Sequence, residues 1–168
     1  MFNWRITKYN PKYRNTNGVY LKNEWTSYSD IEKQFSNEVL TFDDYIKIEN
    51  RYIEATRLLM KCANITSLHL DSLEISDVDK EDVHLSASMV EVFDRLQEGL
   101  VVDLSMLDDV VRLILREVIW GKLQTKNFYV HFGYDYYMYV GSIDRSIEAI
   151  KKIEDLGLFV EPYSSPYK

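Results

Sequence analysis

Cysteine, glycine, proline and positive charge are all scarce in this sequence, and each shortage removes a class of protein. Cys62 is the only cysteine among 168 residues. No intramolecular disulfide can form, and a zinc site built from several thiolates is out of reach. A lone cysteine at the end of a helical pattern reads as a buried small hydrophobe in a reducing cytoplasm. Six glycines and three prolines exclude collagen-like and low-complexity chains. They also leave little material for Gly-rich phosphate loops, and neither Gly-x-Gly-x-x-Gly nor a loop ending in Gly-Lys-Ser/Thr occurs. No apolar run approaches the ~20 residues that span a bilayer. The opening MFNWRITKYN lacks the apolar stretch of a signal peptide, so the chain reads as soluble and cytoplasmic. Lys and Arg number 20 against 27 Asp and Glu, a net charge of −7, which opposes phosphate-driven nucleic-acid binding.

What the chain has in excess is tyrosine: 13, beside 7 Phe and 3 Trp. Hydrophobic (46%) and charged (28%) fractions are those of one folded domain over 1–168. Phe2, Trp4 and Ile6 alternate with polar residues as a first strand. Asn10-Pro11 ends it, and Asn17-Gly18 marks a tight turn. Val19–Leu21 suggests a short strand, and Ser29 with Glu32 a short helix over 30–36. Thr41 with Asp44 opens a helix running to about 63, with Phe42, Tyr45, Ile46, Tyr52, Ile53, Leu59 and Met60 inward and Lys47, Glu54 and Lys61 outward. Leu68/Leu70 and Leu73/Ile75 alternate with a slip of one, a strand with a bulge. Residues 86–98 read as a helix capped by Gly99, with strand as the alternative. The strongest pattern is a central core helix over 106–120, from Met106 to Trp120, started by Ser105 and stopped by Gly121. Residues 128–140 read as a hairpin turning near 133–135 or one strand bulged at Gly133. A last helix from Ser142 or Asp144 carries Ile143, Ile147, Ile150 and Ile153 to Gly157, and 158–160 is a closing strand. Strands and helices without a regular βαβ beat make the class α+β: a mainly antiparallel sheet packed on about four helices.

Chemistry is thinly represented. His69, His84 and His131 lack metal-binding spacing, and no Gly-x-Ser-x-Gly elbow is present. Residues 71–84 hold six acids and one base. Within them, Asp77–Asp82 fails as a calcium loop because position six is Asp82 and position twelve is Ser88. No metal or other cofactor is expected. The acids Asp71, Glu74, Asp77, Asp79, Glu81 and Asp82 are therefore either a solvated loop or a partner-facing patch. His131 and Asp135, four apart around Gly133, form a candidate acid–base pair that a pocket converging with Arg112 or Arg116 would support. Seven tyrosines fall in 129–167. In an extended 134–140, Tyr137 and Tyr139 share a face with Asp135, while Tyr134 and Tyr136 share the other with Met138. One face fills the core, and the other awaits the last helix, a second copy in a homodimer, or a partner.

Four stretches carry a resemblance: Trp4–Pro11 (WRITKYNP), Glu24–Asp30 (EWTSYSD), His131–Tyr139 (HFGYDYYMY) and Gly157–Tyr167 (GLFVEPYSSPY). Together they resemble a family of small bacterial proteins akin to the immunity partners of polymorphic toxins and of contact-dependent growth inhibition. The resemblance implies a cytoplasmic, non-enzymatic acidic protein that binds a basic toxin, often a nuclease, and blocks it stoichiometrically. It assigns no catalytic residue. The rival reading is a small enzyme around His131 and Asp135. Candidate partner-binding residues are the six acids above with Asp135, Tyr137 and Tyr139.

Overall fold

The computed structural model describes residues 1–77 and 84–167. In chain order the elements are β1 (Phe2–Thr7), β2 (Gln34–Phe35), β3 (Glu38–Val39), α1 (Phe42–Cys62), β4 (Ser67–Ile75), α2 (Ala87–Phe93), β5 (Leu100–Asp103), α3 (Leu107–Leu115), β6 (Ile119–Thr125), β7 (Phe128–Phe132), β8 (Met138–Ser142), α4 (Ile147–Asp155) and β9 (Phe159–Pro162). Seven strands form one antiparallel sheet in the order β5-β4-β6-β7-β8-β1-β9, and β2–β3 is a separate hairpin. With its four α-helices the chain is α+β, as its segment order implies.

Period-two alternation sorts the sheet into two faces. One row runs Leu70–Leu123–Val130–Val140 across four strands and packs into the core with α1 and α3. The row one residue along runs Asp71–Lys122–His131–Tyr139–Arg5–Glu161 across six strands on the other face. The bulge in β4 falls between Asp71 and Glu74, where the slip in alternation placed it. There the Glu98 carboxylate receives the N–H groups of Ser72 and Leu73, both at 2.8 Å.

The expected cap at Thr41 held. Thr41 Oγ1 accepts the Asp44 N–H (3.1 Å), and Asp43 and Asp44 sit at the positive end of the α1 dipole. Other boundaries differ from expectation. The core helix over 106–120 stops at Leu115, and Ile119–Thr125 is strand β6, so Gly121 lies inside a strand. The start of α3 is organised by Asp103, whose carboxylate accepts from Ser105 and Met106. The 30–36 helix is a 3-10 turn, Tyr28–Asp30, followed by β2 and β3. Its Asp30 side chain collects the Thr26 N–H (2.8 Å). α2 ends at Phe93, and Gly99 is a later turn that donates to Leu70 O (2.8 Å). Val19–Leu21 contributes one bridge, Arg14 to Tyr20. Cys62 is half-buried, packed against the edge of the core beside Asp144.

The second tyrosine face has an occupant that the sequence did not suggest. α4 packs against α1 and β9 and buries Ala149 and Ile153, while Ile143 and Ile147 face solvent. The outer face is covered instead by the chain's own tail, 163–167. Tyr167 packs against Trp120 and Tyr139, and Tyr163 against Tyr139 and the Arg5 guanidinium. Residues 134–137 are not strand: Tyr136 adopts φ 60 in the β7–β8 turn and turns into the core, leaving Tyr134 72% exposed.

Gly141 shows why one position on this face has no side chain. The Tyr129 ring lies across it, donates to Asn3 Oδ1 (2.7 Å), and stacks on His131 with centroids 4.4 Å apart. A Cβ on Gly141 would overlap that ring. Gly141→Ala is expected to cost about 1–3 kcal/mol in urea denaturation.

Candidate functional site

The sequence-derived candidates separate in space. Tyr139 lies beneath the tail, and Tyr137 packs beside it on Tyr9, Arg5 and Arg14: Arg14 Nη1 donates to the Tyr137 hydroxyl (3.0 Å), and Arg5 pairs with Glu161 (3.0 Å). The Tyr137 hydroxyl and both rings are held within the chain. Asp71 accepts from Gln124 Nε2 (2.8 Å). Asp79, Glu81 and Asp82 lie outside the described residues. Glu74, Asp77 and Asp135 are exposed and make no side-chain hydrogen bond or ion pair among the described residues.

The His131–Asp135 pair does not form. Gln124 Oε1 sits 3.3 Å from His131 Nε2 and can only accept there, because its amide nitrogen donates to Asp71. Nε2 therefore carries the proton, and Nδ1 accepts the Ser165 hydroxyl (2.9 Å). Ser165 Oγ in turn receives the Tyr167 N–H (3.2 Å). This chain of bonds pins the tail to the sheet. It does not poise a base, since Ser165 and His131 are both buried. Arg112 and Arg116 are elsewhere, paired with Glu49 of α1.

Burial, with Lys122 adding repulsion, pushes the His131 imidazole down to about 4. The unfolded chain takes up that proton near pH 6.5. Between these values the unfolded state holds a proton that the folded state refuses, so stability falls as pH drops from about 6.5 toward 4. The loss should approach about 3 kcal/mol. Urea midpoints at pH 7 and 4.5 test this: His131→Gln should flatten the pH dependence.

The residues that do converge were missed by sequence reading. The end of α3, the β6 start and the β7–β8 turn enclose a cavity of about 120 Å³. Trp120, Phe132, Tyr134 and Tyr136 supply aromatic walls, and Glu117 supplies a carboxylate. Among the described residues, no Lys or Arg lines it. Ser76 also lines it, followed by Asp77; Glu74 is in register with Trp120; Asp135 follows Tyr134. The acidic segment and the tyrosine segment thus frame one opening.

Glu117 owes its place to an unusual helix end. Three helices close with the same pair of bonds. In α1, Ile65 N–H reaches Met60 O (2.8 Å) with Asn64 at φ 55; in α4, Leu158 N–H reaches Ile153 O (3.3 Å) with Gly157 at φ 85. In α3, Val118 N–H reaches Leu113 O (3.0 Å), and the left-handed position is Glu117 at φ 60. Asn and Gly tolerate that conformation; Glu does so at a cost of about 1 kcal/mol. Burial first, then the charge of Asp30, raises the Glu117 carboxyl above its usual range. It has no hydrogen bond or ion pair among the described residues. The Tyr136 hydroxyl, on a residue 3% exposed, has the Tyr45 hydroxyl as a neighbour but makes no hydrogen bond of good geometry among them. No cluster of metal-ligating side chains occurs among the described residues, and none of their helices is long and apolar enough to cross a membrane. No protein-family model, curated protein or solved structure matches the chain.

Proposed function

We propose that the protein is a non-enzymatic binding protein, an immunity protein that binds a basic protein toxin, of nuclease type, and occludes it in the cytoplasm. The observation that carries this reading is the frame of exposed, unpaired acids around one opening: Glu74, Asp77 and Asp135, with Glu117 inside. Carboxylates without internal partners lose little on meeting a basic surface, and the field of a −7 molecule speeds the encounter. The four sequence stretches that resemble immunity proteins support the same reading, and three of them, 24–30, 131–139 and 157–167, contribute to or border this region.

Co-expression with the toxin domain encoded immediately upstream tests it. A co-purifying one-to-one complex and protection of the host are expected. The triple variant Glu74→Lys, Asp77→Lys, Asp135→Lys should slow association at least about tenfold at low salt, with the difference shrinking as salt rises. No complex and no protection would end the proposal, and an association rate unchanged by the three reversals would remove this surface from it.

A further inference from the structure

We propose that the cavity at the end of α3 binds a small alkylammonium cation, with Glu117 as counter-charge and Trp120, Phe132 and Tyr136 as the π surface around it. The site does not depend on the protein partner proposed above. Three observations carry it. First, four of the lining side chains are aromatic and, among the described residues, the one carboxylate in the lining is joined by no Lys, Arg or His. Aromatic faces attract cations electrostatically, most strongly when water is excluded, and cages of such rings are how quaternary ammonium groups are recognised. Second, the half-buried Glu117 carboxylate in the lining makes no hydrogen bond or ion pair among the described residues. A partly desolvated carboxylate without a partner is costly, and a ligand with N–H donors or positive charge would satisfy it. Third, Glu117 occupies a left-handed position where Asn64 and Gly157 serve the other two helices, so this carboxylate is held in place against backbone preference.

The size fits. An apolar cavity of about 150 Å³ admits benzene, and about 120 Å³ suits a tetramethylammonium head or the end of a lysine-like chain. The same chain already uses this chemistry internally. Lys8 Nζ lies 4.1 Å from the ring centres of both Tyr9 and Trp25, with Glu24 at 3.5 Å. Around Glu117 the aromatic and acidic parts recur without the lysine. The charged neighbours are Asp30, which reinforces a cation, and Lys33, which is drawn off by its own pair with Asp30 (3.0 Å).

The test titrates the full chain with tetramethylammonium, choline and n-butylammonium, the last standing for a lysine side chain. The readouts are the Trp120 indole N–H signal in NMR and the thermal midpoint. The neutral isostere of choline, 3,3-dimethyl-1-butanol, is the control. All three cations should shift the Trp120 signal saturably, and the neutral alcohol should not. A larger response to the quaternary ions identifies a free ammonium ligand, and a larger response to n-butylammonium a lysine side chain. Glu117→Gln should weaken binding at least about tenfold. Glu117→Gly should abolish it while raising the thermal midpoint, because glycine relieves the left-handed strain. Equal binding of the neutral alcohol, binding unchanged in Glu117→Gln, or no saturable shift with any cation would overturn the proposal.

Discussion

Arg116→Met is expected to lower the unfolding free energy by about 3–5 kcal/mol. The side chain reaches from the end of α3 into α1 and grips Glu49 with two bonds, Nε to Oε1 (2.7 Å) and Nη2 to Oε2 (2.8 Å). Its third nitrogen donates to the His84 carbonyl. Glu49 is fully buried on the inward stripe of α1, where an apolar residue would be the ordinary choice. Taking two charges out of water is costly, and the close bidentate geometry offsets that cost only while both partners remain. Removing Arg116 leaves Glu49 with Arg112 alone, 3.5 Å away and partly exposed. The double variant Glu49→Leu, Arg116→Met should recover most of the loss, because it removes the uncompensated charge. Guanidinium unfolding followed by circular dichroism measures both. A single-variant loss below about 1 kcal/mol would place the pair in water rather than in the core.

The second large effect is at Tyr136. Its ring meets Trp25, Tyr45 and Tyr52 edge-on, with centroids 4.9, 5.8 and 4.9 Å away. Tyr136→Ala should cost about 3–5 kcal/mol through lost packing. Tyr136→Phe should change stability by less than about 0.5 kcal/mol, because the hydroxyl it deletes makes no hydrogen bond of good geometry. Tyr52→Phe is the contrasting deletion. The Tyr52 hydroxyl donates to Tyr136 O (2.7 Å) and accepts the Lys8 N–H (2.9 Å), so its loss strands two buried backbone groups at about 1–3 kcal/mol. Denaturant midpoints of the three variants should fall in the order Tyr136→Phe, Tyr52→Phe, Tyr136→Ala, from highest to lowest.

How far sequence reading reached depended on whether the cause was local. The bulge near Asp71, the Thr41 cap and the hairpin around Gly133 are set by neighbours in sequence, and each is where the pattern placed it. The end of α3 was not legible. Val118, Ile119 and Trp120 continue the helical stripe as well as they begin a strand, and the stop is a Glu in a position that Gly usually marks. The same gap hid the candidate site, since Glu117 and Trp120 read as parts of one helix. Treating 134–140 as extended put Tyr134 and Tyr136 on one face; the turn at Tyr136 sends one to solvent and the other to the core. The tail at 163–167 carries no period at all, so its cover over His131 is a tertiary fact.

The sheet order also bears on when this protein can fold. β1 lies between β8 and β9, and its Arg5 meets Glu161, 156 residues further along. At roughly 5–20 residues per second, the first strand synthesised waits about 8–30 s for its two neighbours. Until then the N-terminal segment has both edges open, and the other five strands of the sheet form without it. Closing so long a loop is slow as well as late. The sheet is thus complete only once residue 162 has been synthesised, and slowing translation of 1–40 should matter far less to its yield than shortening the time allowed after residue 162.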